Sequence, residues 1–274
     1  MMAFPIASVE FAFKRSRIEL PSVLERSLYL LGLVSETMGL CRVNFDAEYT
    51  HERLKSHELE RLCAIGVEFS ETYQAGRPGD DEYLHLLGNC LVNSNLFGLN
   101  IVLGNPKYGC TPSIDALDRK ASLICVKYGC MDSRLKLGAE GESYGKEVIR
   151  ICGKLNAAAY ILYTPRMLRL IEASKDLNVN ATVYTPIRIS ETRSKALSEI
   201  MELGMDYLAR RGIGRDSIAL RASEYIVYGS PVDVASKMRE LIALGVNKFV
   251  LSPLYYTPTD LARQLHYIAK HITY

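Results

Sequence analysis

The sequence predicts an α/β protein built as a TIM-type (β/α)8 barrel, and three observations carry that expectation. The stretch from Glu224 to Tyr256 shows strand, helix and strand in succession, with Ser230 at a helix N-cap, Pro231 at the first helical position and Asp233 three residues after the cap. Val234, Ala235, Met238, Leu241 and Ile242 keep a helical period, and Gly245 stands where a left-handed cap would close the helix. The apolar run Val246 to Leu251 then stops at Ser252-Pro253 and reads as a strand buried on both faces, as parallel strands are. Second, candidate strands near residues 9, 41, 67, 99, 134, 158, 180 and 248 make eight, with helical segments between them. Third, 274 residues is an ordinary length for such a barrel, which typically takes about 250. A doubly wound sheet is the alternative.

Taken in order, VEFAF at 9–13 is a strand, and Leu20-Pro21-Ser22 leads into a helix through Met38, closed by Gly39. Cys41 to Phe45 is a short strand with Asp46 at its end, and Leu54, Leu59, Leu62 and Ile65 mark the next helix. Val67 to Tyr73 is a strand with a polar exit; the turn QAGRPGDD and a helix from Asp80 or Asp81 follow. A strand at Leu99 to Leu103 ends in Gly104-Asn105-Pro106, and Thr111-Pro112 opens a helix ended by Gly129. Arg134 to Leu137 is a strand running into the small-residue loop Gly138 to Ser143. YGKEVIRICGKL fits a helix by Val148, Ile149, Cys152 and Leu155, while VIRIC alone fits a strand. Strands at Ala157 to Tyr163 and Val179 to Tyr184 both stop at Thr-Pro, since proline removes a ladder donor. A long helix covers Glu191 to Arg211, an irregular approach near Tyr225 leads into the opening unit, and a last helix spans Thr259 to Ile272.

Composition narrows the partners. With 33 Lys and Arg against 31 Asp and Glu, the net charge is +2, and no basic stripe argues for nucleic acid or an anionic membrane. No apolar run reaches the roughly 18 residues of a membrane span, and the start lacks a signal-peptide pattern, so a cytoplasmic protein with a small-molecule substrate is expected. The seven cysteines form no CxxC pair and read as small buried hydrophobes; a bridge such as Cys125 to Cys130 belongs to a hyperthermophilic source. The five histidines show no metal spacing. Tyr163-Thr164-Pro165, Tyr184-Thr185-Pro186 and Tyr256-Thr257-Pro258 recur at strand ends, which in a parallel barrel share one rim. A rim of tyrosine and threonine hydroxyls suits a flat ligand with many acceptors, although proline's stop signal explains the recurrence equally well.

Gly229-Ser230-Pro231, Leu244-Gly245-Val246 and Phe249 to Pro253 together resemble the final unit of the luciferase-like (bacterial luciferase) superfamily of flavin and deazaflavin oxidoreductases. GVEFSETY at 66–73 resembles that family's second strand, with Glu71 at the acid of its acid–histidine pair and Thr72 in place of the histidine. Asp80 to Pro106 resembles the helix and third strand, and Arg134 to Gly141 the fourth strand and its glycine loop. The resemblance spans residues 41 to 272 and implies FMN or the deazaflavin coenzyme at the strands' C-terminal rim, with hydride transfer or oxygen activation. It also implies dimerisation through early helices, for which the helix 22–38 is the candidate. Two departures stand out: the third-strand exit is short, and the region 142–160 is compressed where a phosphate loop would lie. Residues 1–38 then read as an added strand and helix within one domain, 1–274.

The residues themselves nominate a site. Gly104, Asn105, Gly138, Gly141 and Ser143 offer close backbone approach and oxyanion-holding amides and hydroxyl, although loop glycines after strands look the same. Tyr163, Thr164 and Tyr184 are the rim hydroxyls, and Glu71 and Asp46 the candidate proton-transfer carboxylates, weighed against solvated strand-end acids. The competing expectation is a barrel that has lost turnover and cofactor and serves as a binding or structural protein.

Overall fold

The computed structural model describes residues 8–39, 41–46, 50–104, 106, 109–129, 134–138 and 144–272. Its strands are β1 (Ser8–Phe13), β2 (Val43–Phe45), β3 (Phe69–Gln74), β4 (Phe97–Val102), β5 (Leu135–Gly138), β6 (Ala158–Leu162), β7 (Ala181–Ile189), β8 (Val227–Gly229) and β9 (Lys248–Pro253). Every pairing is parallel, β1 through β7 pair in sequence order, and β9 pairs with both β7 and β1. Eight strands therefore close into a TIM-type barrel, and they are the eight that the sequence marks. Because β1 lies between β2 and β9, the N-terminal strand and helix are a unit of the barrel, not an addition to it. The stretch near Tyr225 leads into β8, a ninth strand outside the ring that pairs with the far end of β7 from Ile187↔Val227 to Ile189↔Gly229.

The helices are α1 (Val23–Met38), α2 (Ser56–Ala64), α3 (Asp81–Asn93), α4 (Ile114–Tyr128), α5 (Gly145–Leu155), α6 (Met167–Asp176), α7 (Arg193–Leu203), α8 (Met205–Ala209), α9 (Ile218–Arg221), α10 (Pro231–Ala243) and α11 (Pro258–His271). Hydroxyl caps fix many of their starts. Ser22, Ser113, Thr192, Ser230 and Thr257 each accept from a backbone N–H three residues on, a contact worth about 1 kcal/mol. Asp233 completes the capping box at Ser230, and Gly245 follows α10 with φ +99. The ambiguous segment is helix α5, burying Val148, Ile149 and Cys152, and left-handed Asn156 ends it. Of α1, a candidate dimer surface by sequence, Leu24, Leu30, Leu31 and Val34 are buried within the chain and Tyr29 is exposed.

Two expectations need correction. The long helix over 191–211 breaks at Gly204 into α7 and α8, and the break point favours glycine, since a Cβ there would press on the Ile200 carbonyl at 3.0 Å and on Ile226 at 3.1 Å. And β7 does not stop at Thr185-Pro186 but runs on to Ile189. The Tyr184 carbonyl accepts from Tyr163 on the β6 side, and the Ile187 carbonyl accepts from Leu254 on the β9 side. Alternation turns Pro186 to the β6 side, beyond the last β6 pair, Leu162↔Tyr184, and before the first β8 pair. Its missing N–H thus falls where no partner strand waits.

The strands divide their side chains by the usual period of two. Phe11, Val43, Phe69, Leu99, Leu137 and Phe249 face the helices and form the main core with their apolar stripes. The inward face is polar. Lys136 of β5 pairs with Glu10 of β1, strands on opposite sides of the ring, so the contact crosses the barrel interior. Asn44 donates to Glu10 at 2.9 Å, and Asn100 donates to Asn44 at 2.9 Å and to Ser70 at 3.3 Å. Burial opposes ionisation of Glu10, but Lys136 and Arg42 outweigh it and hold the carboxyl below its ordinary range. A second, smaller core gathers Ala196, Ile200, Leu208, Ile218, Ile226 and Tyr228 from the segment between β7 and α10.

Candidate functional site

Above the Glu10–Lys136 network, at the strands' C-terminal ends, the barrel holds a cavity of about 70 Å3. Its walls come from successive strands: Asp46 after β2, Thr72 of β3, Val102 of β4, Gly138 of β5, Tyr160 of β6 and Tyr184 of β7. Val102, Gly138 and Tyr160 are register partners, which sets them at one level. Gly138 is required there, since a Cβ would meet the Tyr160 carbonyl at 3.0 Å and its ring at 3.2 Å. Tyr207, Arg210 and Arg211 form the roof, carried by α8 and the residues after it. On the other side of Tyr207 and Arg210, over β1, β7 and β9, lies a second chamber of about 230 Å3 that shares Lys14 and Tyr184 with the first.

Two hydroxyls give the mouth its chemistry. Thr72 is 5% exposed and Tyr160 8% exposed, both line the cavity, and neither Thr72 Oγ1 nor the Tyr160 hydroxyl has a hydrogen-bond partner. A buried polar group left unpaired costs about 1–3 kcal/mol, and two of them face this one cavity. Tyr160 stacks edge-on against Tyr184 with ring centroids 5.8 Å apart. Burial first, then the Tyr184 neighbour and the Asp46 charge, raise Tyr160 well above its ordinary range. Burial and Asp46 raise Tyr184 too, against the hydrogen bond it shares with Ser252. Both phenols are therefore neutral donors near pH 7.

Of the residues the sequence nominates, Asp46, Gly138 and Tyr184 meet at this cavity. Asn105, Gly141 and Ser143 lie outside the described residues. Gly104 follows β4 with φ +114, and a Cβ there would sit 2.9 Å from Cys110, so its role in the structure is a close loop crossing. Tyr163 faces the helix layer and donates to the Ser223 carbonyl at 3.0 Å, while Thr164 Oγ1 accepts from the Arg166 amide. Glu71 also points outward. It is fully buried in a pair with Arg15, whose other bonds go to Ser27 at 2.7 Å and the Glu52 carbonyl at 2.9 Å. Burial lifts the Glu71 carboxyl, and Arg15 opposes the rise without cancelling it. The three Tyr-Thr-Pro repeats do different work: Tyr184 reaches the mouth, Tyr256 bonds Glu202 at 2.9 Å, and Thr257 caps α11.

Thr72, Tyr160, Lys14, Tyr207, Arg210 and Arg211 are the polar lining residues of this cavity that reading the sequence missed. For the first two the alternation was readable but not which face turns inward. Ser70 and Thr72 alternate with outward Phe69, Glu71 and Tyr73, and the same offset on β6 places Tyr160 inward. For α8 no signal existed, because its place over the mouth depends on the break at Gly204. Cys125 on α4 is disulfide-bonded, and its suggested partner Cys130 lies outside the described residues. Among the described residues no group of three or more His, Cys, Asp or Glu converges as metal ligands, and no helix is long and apolar enough to cross a membrane.

No family model and no curated protein matches the sequence. Solved structures do match in shape. An F420-dependent secondary alcohol dehydrogenase, solved with an F420–acetone adduct, superimposes with TM-score 0.69 at 10% identity, covering 97% of this chain and 98% of that one. The coenzyme F420-dependent tetrahydromethanopterin reductase from Methanopyrus kandleri gives 0.65 at 13% identity, over 97% and 98% of the two chains. The monooxygenase RslO1 from Streptomyces bottropensis gives 0.70 at 12% identity, over 96% and 98%. Over nearly its whole length, the chain has the fold of these F420-dependent and monooxygenase barrels.

Proposed function

We propose that the chain is an oxidoreductase that binds FMN or the deazaflavin coenzyme at the C-terminal mouth of its barrel and acts on a small organic substrate. The observation that supports this most is the pair of buried hydroxyls, Thr72 and Tyr160, facing one cavity without partners. They suit the polar edge of a flat heteroaromatic ring, with Gly138 leaving room beside Tyr160 and Tyr184 offering a ring edge. The F420-dependent and monooxygenase fold neighbours make this the natural ligand class to test. Bound there, the coenzyme would supply the hydride or the reaction with oxygen. Asp46, the carboxylate among the described mouth-lining residues, is assigned proton transfer at its carboxyl oxygens. Glu71, held by Arg15, positions β3 from outside, and Gly104 and the loop after Gly138, with Asn105, Gly141 and Ser143, is the proposed phosphate cradle.

The hydroxyl set fits such a ring, but the space does not while α8 stays where it is: about 70 Å3 compares with roughly 300–1,000 Å3 for pockets of drug-sized ligands. Binding therefore requires Tyr207, Arg210 and Arg211 to withdraw. That filled mouth is also what favours the second reading, a barrel that has lost turnover. Absorbance of the purified protein, followed by fluorescence titration with FMN and with the deazaflavin coenzyme, separates the two. Saturable binding of either supports the oxidoreductase, and none of either supports the inert barrel.

A further inference from the structure

The larger chamber calls for its own ligand. Its walls carry Lys14, Arg17 and Arg210 against one carboxylate, Asp206. Taking both chambers together, the described lining residues include four cations, with Arg211 added, and two acids, with Asp46 added. The remaining lining is mixed: Phe13, Pro186 and Leu254 are apolar, Tyr184 and Tyr255 add rings, and Ser16 and Ser252 add hydroxyls. Arg17 lies 5.6 Å from the Tyr255 ring centroid, an arrangement that holds a guanidinium at the wall. At about 230 Å3 the chamber admits a compact organic molecule, below the roughly 300–1,000 Å3 of pockets for drug-sized ligands.

We propose that the chamber over β1, β7 and β9 binds a compact organic oxyanion, a carboxylate or a phosphate monoester carried on an apolar or aromatic body, with Arg17 and Arg210 taking the charge. The inference rests on the mouth being the ligand-binding end of the barrel, and it names the substrate class of that site. A guanidinium presents a planar fork of donors matched to carboxylate and phosphate alike, so the structure fixes the shared chemistry, and the probes distinguish its two forms.

The test is calorimetric titration of the full chain, without cofactor, with benzoate, phenyl phosphate and neutral benzyl alcohol. At least one of the two anions is expected to saturate at one per chain, at least about tenfold more tightly than benzyl alcohol, a gap of about 1.4 kcal/mol. Whichever anion binds more tightly names the headgroup. Arg17→Gln and Arg210→Gln are each expected to weaken that anion about fivefold or more, while Lys195→Gln, on α7 and absent from both walls, leaves it unchanged. Should the arginine variants fail to fold, the wild-type salt dependence decides. Anion binding must weaken as salt rises from about 0.01 M to about 0.15 M, where the screening length drops from about 30 Å to about 8 Å, and benzyl alcohol must not. Equal binding of benzyl alcohol, anion binding indifferent to both substitutions or to salt, or no saturable heat from either anion overturns the inference. Flavin and deazaflavin binding are measured separately, so either idea can fail while the other stands.

Discussion

Thr72 and Tyr160 separate a ligand site from a packing accident at the scale of single residues. If the two hydroxyls exist for a ligand, Thr72→Val and Tyr160→Phe remove unpaired buried polar groups from the free protein and leave its stability equal or higher by up to about 1 kcal/mol. The same variants weaken FMN or deazaflavin binding about tenfold each, one lost hydrogen bond to a buried edge. Paired urea melts and titrations check this, and a loss of free-protein stability with no change in binding would show that the hydroxyls serve packing. The pair Glu71 and Thr72 also shows what a sequence yields at this scale. The strand itself is legible and its alternation is legible, but the sign of the alternation is not, because both faces of β3 carry polar residues. The interior of this barrel is polar, with Glu10, Asn44, Ser70, Asn100 and Lys136 inside, and Glu71 is buried with Arg15 in the helix layer. The usual equation of carboxylate with inside rim fails there.

The elements were largely readable, and their failures share a cause. Caps and C-terminal glycines are local, so α1, α4, α10 and α11 follow from the sequence. The run of β7 through Pro186 and the break at Gly204 depend on neighbours far along the chain, β8 in one case and Ile226 in the other. The β3 exit is equally dependent on its neighbour. At Gly76 a Cβ would stand 1.8 Å from the Thr111 carbonyl oxygen, and the Gly76 amide donates to Leu103. Gly76→Ala is expected to cost on the order of 3 kcal/mol, the overpacking scale where backbone must move, and a melt unchanged within about 0.5 kcal/mol would refute this placement of the loop.

The β7 extension is held by Arg188, fully buried, which donates to Glu199 at 2.7 Å, Asp260 at 2.6 Å and the Leu254 carbonyl at 2.8 Å. Burial opposes ionisation of both acids. The Arg188 and Ser190 bonds outweigh it at Glu199, and the Arg188, Tyr256-amide and Arg263 bonds outweigh it at Asp260, so both pKa values are lowered. Lowered carboxylate values give stability that is present above the unfolded range near pH 4 and is lost as pH falls through the folded values. Arg188→Met should cost about 3 kcal/mol at pH 7, leaving Asp260 with Arg263 and the Tyr256 amide. It should also flatten the decline in stability below about pH 4. Urea unfolding of both proteins at pH 7 and below pH 4 checks the two effects together, and an equal acid-side slope would remove Arg188 from the account.

For the molecule as a whole, the number of strands in the ring, their parallel order and its closure followed from the spacing of apolar runs, while β8 outside the ring did not, and the mouth's position followed from parallel order alone. What the sequence could not supply is how full that mouth is. The segment between β7 and α10 folds around its own small core and lays Tyr207 and Arg210 over the strand ends. Fold and site thus pull apart: the barrel's mouth carries unmet hydrogen bonds, and on the proposed reading its roof moves before a flavin ring enters. The most direct measurement is the melting temperature with saturating FMN and, separately, saturating deazaflavin coenzyme. A ligand at 100 times its Kd adds about 2.7 kcal/mol to stability. The account predicts that one of the two raises the melting temperature by several degrees and that Thr72→Val and Tyr160→Phe reduce that rise. Melting temperatures unchanged by both coenzymes would contradict it.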